Sequence, residues 1–123
     1  MTAYTEGDNI GDVLKWEEDS RYSREIVPLG GTDTVTIGSV LGRVTATGVY
    51  GSLDAASTIG LQTAAAISLE NKTTTAAATV LVARRACVVD ADALNWPSGF
   101  TSVDKVAPSK VLNDAGIVIR DGV

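Results

Sequence analysis

The sequence predicts a small, mainly β single-domain fold with one or two short helices and an extended N-terminal arm. Three observations carry that prediction. Ala (16), Val (15), Thr (14) and Gly (12) make up 57 of the 123 residues, which is the chemistry of short strands and turns. Long-chain helix formers are scarce, with 9 Leu, 4 Lys and 1 Met, so long amphipathic helices are not expected. Short apolar runs alternate with Gly, Pro, Asn and Asp turn signals from residue 26 onward. At 45% hydrophobic residues, a chain of this length buries roughly two thirds of its unfolded surface, enough for one core without staples.

The first 25 residues differ from the rest. They hold seven acids (Glu6, Asp8, Asp12, Glu17, Glu18, Asp19, Glu25) against three bases (Lys15, Arg21, Arg24), a balance of -4, and the remaining 98 residues add only -1 to the total of -5. A polar, Gly-broken start such as Thr5-Glu6-Gly7-Asp8-Asn9 reads as an arm over residues 1–25, mobile at least in part, ahead of a β domain over residues 26–123. Within the arm Ile10, Val13, Leu14 and Trp16 lie close together. Such residues either pack back on their own domain or seek a partner surface, and composition leaves both open.

The elements follow in order. Residues 26–29 form a strand ending at Gly30-Gly31-Thr32-Asp33, residues 34–37 a second ending at Gly38-Ser39, and residues 40–47 a third running to Gly48. Residues 48–62, with three glycines, read as a surface loop. Residues 64–70 and 79–89 read as a strand pair separated by the turn-prone 71–75. Asp90 caps about one helical turn that stops before Pro97. A second short helix is expected near residues 109–115, capped by Ser109 and ended by Gly116. Residues 117–120 close the chain as a strand.

Chemistry is hard to find. There is one cysteine, Cys87, and no histidine, which removes intrachain disulfides, Cys/His zinc sites and every nucleophile that relies on a histidine base. Cys87 itself, in an apolar strand, reads as a buried small hydrophobe. Asp90 and Asp92 form an Asp-x-Asp pair whose hard oxygens suit a divalent cation if other carboxylates converge, while helix capping accounts for the same residues. The glycines fit no phosphate loop or dinucleotide fingerprint. Arg84-Arg85 falls on a strand, where alternation sends the two side chains to opposite faces, so one of them is expected to pair with a carboxylate. With an acidic total charge, a nucleic-acid stripe is disfavoured. Asn71-Lys72-Thr73 is a glycosylation sequon by chance in a Thr-rich turn. Trp96, near Phe100, reads as a core anchor. No apolar run of membrane-spanning length occurs, since Val80 to Val89 is split by Arg84 and Arg85.

The order and spacing of segments say more than any motif. Asp12-Val13-Leu14-Lys15-Trp16-Glu17-Glu18-Asp19, Tyr22-Ser23-Arg24-Glu25, the stretch from Ile37 through Gly48, and the close from Asp92-Ala93-Leu94-Asn95-Trp96-Pro97 to Ile119 together resemble the head decoration protein D family of tailed bacteriophages over roughly residues 12–120. The resemblance implies a mainly β cement protein with no enzymatic activity and no cofactor. It would bind as a homotrimer to the outer surface of the expanded head, at threefold and quasi-threefold sites. Its partners would be the major capsid protein and its own copies, with no direct nucleic acid and no membrane. It would pass through the host cytoplasm during assembly and end on the virion surface. The family's arm mechanism makes Ile10, Val13, Leu14 and Trp16 the expected capsid contacts. It also implies that removing residues 1–20 leaves the β domain's melting intact. Two other classes stand beside it: a small β-barrel ligand-binding module, which needs a concave pocket, and a carboxylate-metal hydrolase using Asp90 and Asp92.

Overall fold

The structure, a computed structural model, describes residues 9–30 and 33–121. The elements run α1 (Ile10–Val13), β1 (Leu14–Glu17), α2 (Ser20–Ser23), β2 (Arg24–Leu29), β3 (Asp33–Val35), β4 (Val40–Arg43), β5 (Tyr50–Ser52), β6 (Ala64–Ser68), β7 (Lys72–Thr74), β8 (Ala78–Ala83), β9 (Cys87–Asp90), a 3-10 turn (Ala91–Ala93), α3 (Val106–Asp114) and β10 (Ile117–Arg120). Among the described residues strand exceeds helix, 40% against 18%, so the fold is mainly β as predicted.

Five strands close a barrel in the order β2-β5-β4-β6-β8. Its longest seam is the β2/β8 ladder, which runs antiparallel from Arg24↔Ala83 to Leu29↔Ala78. Alternation decides what lies inside. On β2, Val27 and Leu29 are buried while Ile26 and Pro28 face solvent. On β8, Val80 and Val82 point inward. With Val35, Leu41, Tyr50 and Ala66 they fill the barrel, so its interior is packed side chain rather than a ligand cavity.

A second core lies outside the barrel. Here β1, β9 and β10 form a three-stranded sheet, β9 central, that packs with α3 over the outward faces of β4, β6 and β8. Val13, Leu14, Val40, Ala64, Ile67, Ala83, Cys87, Val89, Leu112 and Ile117 interlock there. The expected strand over 79–89 is therefore two strands in two sheets. The chain turns between them at Ala86, whose φ of 52° is left-handed. Ser23 secures that turn: its carbonyl accepts from Arg84 N at 2.8 Å, and its hydroxyl donates to the Ala86 carbonyl at 3.0 Å.

Other expectations are corrected in detail. β5 occupies part of the expected loop over 48–62. It forms because Gly42 and Gly51 carry no side chain where the returning loop crosses; a Cβ on Gly42 would lie 2.5 Å from the Leu61 carbonyl oxygen. Asp33 then ties β3 to β5, its carboxylate accepting from Ser52 N at 2.9 Å and from the Ser52 hydroxyl at 2.8 Å. β7 lies within the expected turn over 71–75 and pairs with β3. α3 starts at Val106, three residues before Ser109, which is inside the helix and donates its N–H to Lys105 O. Pro108 is tolerated because it falls in the first turn, where N–H groups have no intrahelical partner. Gly116, at φ 93°, ends the helix as predicted.

Most of the described arm segment is folded against the domain. Two single-turn helices, α1 and α2, raise the helix number above the one or two expected. The first turn is closed by Asn9 N donating to the Asp12 carboxylate at 2.8 Å, the second by Asp19 accepting from Arg21 N at 2.8 Å. Val13 is fully buried and Leu14 nearly so. The boundary drawn at residue 25 thus does not coincide with a break in packing; residues 1–8 of that segment lie outside the described residues.

Candidate functional site

The N-terminal segment is held by ion pairs and by β1. The Arg24 guanidinium grips Glu17 with two bonds, 2.9 and 3.0 Å, across the connection that α2 spans. Arg85 donates to Glu25 at 2.7 Å and to the Tyr22 carbonyl at 2.6 Å, with its guanidinium carbon 5.3 Å from the Tyr22 ring centre. One member of the Arg84-Arg85 pair thus does meet a carboxylate. Asp19, beside Arg21, has its carboxyl held below the ordinary value by that side-chain hydrogen bond and by the Arg21 N–H.

Along β1 the side chains do not alternate simply. Leu14 pairs with Val89, yet Trp16 pairs with Val88 and Glu17 with Cys87, so Lys15 is an extra residue in the ladder. Such a bulge re-aims the side chains that follow it. Residues directly opposite share a face. Leu14 therefore points to the core with the buried Val89, and Trp16 points outward with the half-buried Val88. The parallel β9/β10 ladder sets Val118 beside Val88. The result is an apolar row, Trp16, Val88 and Val118, across the outer face of the small sheet, with Trp16 56% exposed. Ile10 half-packs against the core from the same end and, with Leu14, Trp16, Glu17 and Arg24, lines an open groove of about 310 Å³.

The four residues singled out in the sequence are thus divided. Ile10 and Trp16 reach the surface, whereas Val13 and Leu14 belong to the core. Val88 and Val118 join the surface row without having been singled out. Their signal was the alternation within residues 87–90 and 117–120, which reveals a face but not its neighbours.

The remaining candidates take structural roles. Asp90 caps the 3-10 turn by accepting from Asp92 N at 3.0 Å. Among the described residues no group of three or more His, Cys, Asp or Glu side chains could hold a metal ion. Cys87 is buried, and desolvation, with a smaller push from the Glu17 charge, raises its thiol to about 11, which leaves no thiolate for nucleophilic chemistry at neutral pH. Trp96 stacks on Phe100, ring centres 6.0 Å apart, at the margin of the second core.

Against known proteins, the family model described as Bacteriophage lambda head decoration protein D matches residues 3–117. No curated protein matches the chain.

Proposed function

The chain belongs to the bacteriophage lambda head decoration protein D family, and from that premise we propose that it acts as a trimeric cement on the expanded head. As a head decoration family it is structural, with the phage capsid as partner and the virion surface as location. In the proposed role the trimer sits at threefold and quasi-threefold sites and holds neighbouring coat subunits together against internal DNA pressure. The protein waits in the host cytoplasm until the head expands. A shell fails when subunits separate, so one molecule bound to several of them adds contacts that must break together, and three linked copies turn weak single contacts into slow release.

The observation that carries this reading is the Trp16, Val88 and Val118 row on a sheet whose edge strand, β1, is the first strand of the described residues. A large exposed aromatic in an apolar row is the residue type that anchors protein interfaces. In this reading Ile10 and Trp16 touch coat, while Val13 and Leu14 fix them from beneath. Co-sedimentation with expanded heads tests it: the intact protein should pellet with heads, and Trp16→Ala should lose most of that binding while keeping its melting transition. Unchanged binding by Trp16→Ala would move the contact elsewhere.

A further inference from the structure

At one end of the barrel, β4 stops at Arg43, β6 starts at Ala64 and β8 runs out into Arg84. These strands are antiparallel neighbours in the order β4-β6-β8, so the two arginines flank the opening residues of β6. Arg84 Nη1 donates to the Ala65 carbonyl at 3.3 Å. Arg43, Arg84, Thr45, Thr63 and Gly60 line one open pocket of about 280 Å³. Gly60 keeps that wall at backbone level: its φ is 123°, and a Cβ there would lie 2.2 Å from the Arg43 carbonyl oxygen.

The electrostatics of this pocket are unbalanced. Arg21, Arg24 and Arg85 each hold a carboxylate, but among the described residues neither Arg43 nor Arg84 is in an ion pair. In a chain of net charge -5, two arginines and two threonines therefore line one opening that no acidic residue lines. Planar forked donors of this kind pair bidentately with carboxylate or phosphate oxygens, and this acidic chain itself supplies the carboxylates.

We propose that this pocket receives a carboxylate side chain from the acidic N-terminal segment of a second copy of this chain. Residues 1–25 carry a balance of -4. Among them Glu18 is exposed and in no ion pair among the described residues. Its backbone N–H is fixed to the Ala86 carbonyl at 3.1 Å, so the side chain is presented from a held position. A contact from this segment of one copy to the pocket of the next is heterologous, and it closes when the ring closes. The inference rests on the trimer reading and supplies its donor and acceptor.

The test uses the full-length chain carrying Arg43→Lys and Arg84→Lys. These changes keep both charges and introduce amines that a water-soluble carbodiimide joins to a touching carboxylate; the native guanidinium does not react this way. An equal mixture of ¹⁵N-labelled and unlabelled variant is bound to expanded heads, treated, digested and analysed by mass spectrometry. The expected result is an amide between position 43 or 84 and an acid within residues 1–25, in mixed-isotope pairs, absent from the wild type, with a cross-link ladder that stops at the trimer. If the ladder reaches the trimer but the substituted positions join only coat peptides, only their own copy, or nothing, the pocket assignment is overturned and the trimer stands. If no trimer forms on heads at all, the trimer reading falls and the pocket assignment with it.

Discussion

Trp16 stands directly opposite Val88 on the outer face of the β1/β9 ladder although Leu14, two residues before it, lies opposite Val89 in the core. The extra residue between them, Lys15, reverses the facing of the strand. Without the bulge the strand period of two would send Trp16 inward with Leu14. One inserted position thus turns a core strand into one that is anchored on one side and displays an indole on the other.

Trp16→Ala should therefore separate binding from folding. Truncating a large exposed anchor at an interface costs on the order of 1–3 kcal/mol of affinity, whereas the exposed indole contributes little to the core. Co-sedimentation with expanded heads should fall while thermal melts of the free protein overlay those of the wild type.

Val13→Ala and Leu14→Ala should do the reverse. Each removes fully or almost fully buried atoms from the second core, at a cost of about 1–4 kcal/mol of folding stability. Deleting residues 1–20 should destabilise the protein further, because it also removes β1 and the Glu17 partner of Arg24, contrary to the expectation drawn from an arm ending at residue 25. Circular-dichroism melts check both; a truncation that melts like the full chain would show that residues 1–20 add little to the stability of the β domain.

Changing Asp90 and Asp92 to Asn should leave capsid binding intact and cost about 1 kcal/mol or less, since Asn caps nearly as well as Asp. Loss of head binding by a variant that still melts cooperatively would show that these carboxylates do more than cap.

Cys87 sets a pH dependence at the alkaline end. Its folded value, raised from 9.0 to about 11, means that above pH 9 the unfolded chain gives up this proton more readily than the native one. Its contribution is fully present below pH 9 and is lost as pH rises toward 11, by at most about 2–3 kcal/mol. Urea melts at pH 8 and pH 10.5 should show the drop, and Cys87→Ser or Cys87→Ala should flatten it. At pH 8 the thiol should react with an alkylating reagent only as fast as the protein opens.

The β class, the short turns and the local devices can be read from the chain alone. Composition and alternation follow from the strand period and from what glycine, proline and aspartate do to a backbone, so the Asp90 cap, the Gly116 stop and the burial of Cys87 are all legible in the residues themselves. Pairing was not. That residues 79–89 divide at Ala86 between a barrel and a second sheet depends on Ser23, some sixty positions earlier, whose carbonyl and hydroxyl hold the turn. Likewise β5 and β7 are too short and too polar to announce themselves, and exist because Asp33, Leu61 and β3 lie across from them. The same holds for the candidate site. An apolar cluster at Ile10, Val13, Leu14 and Trp16 can be read from the chain, but which members face the core is set by one bulge in a ladder with β9. Strand register is a long-range property, fixed by which faces can be buried together, and a single extra residue is enough to exchange inside for outside.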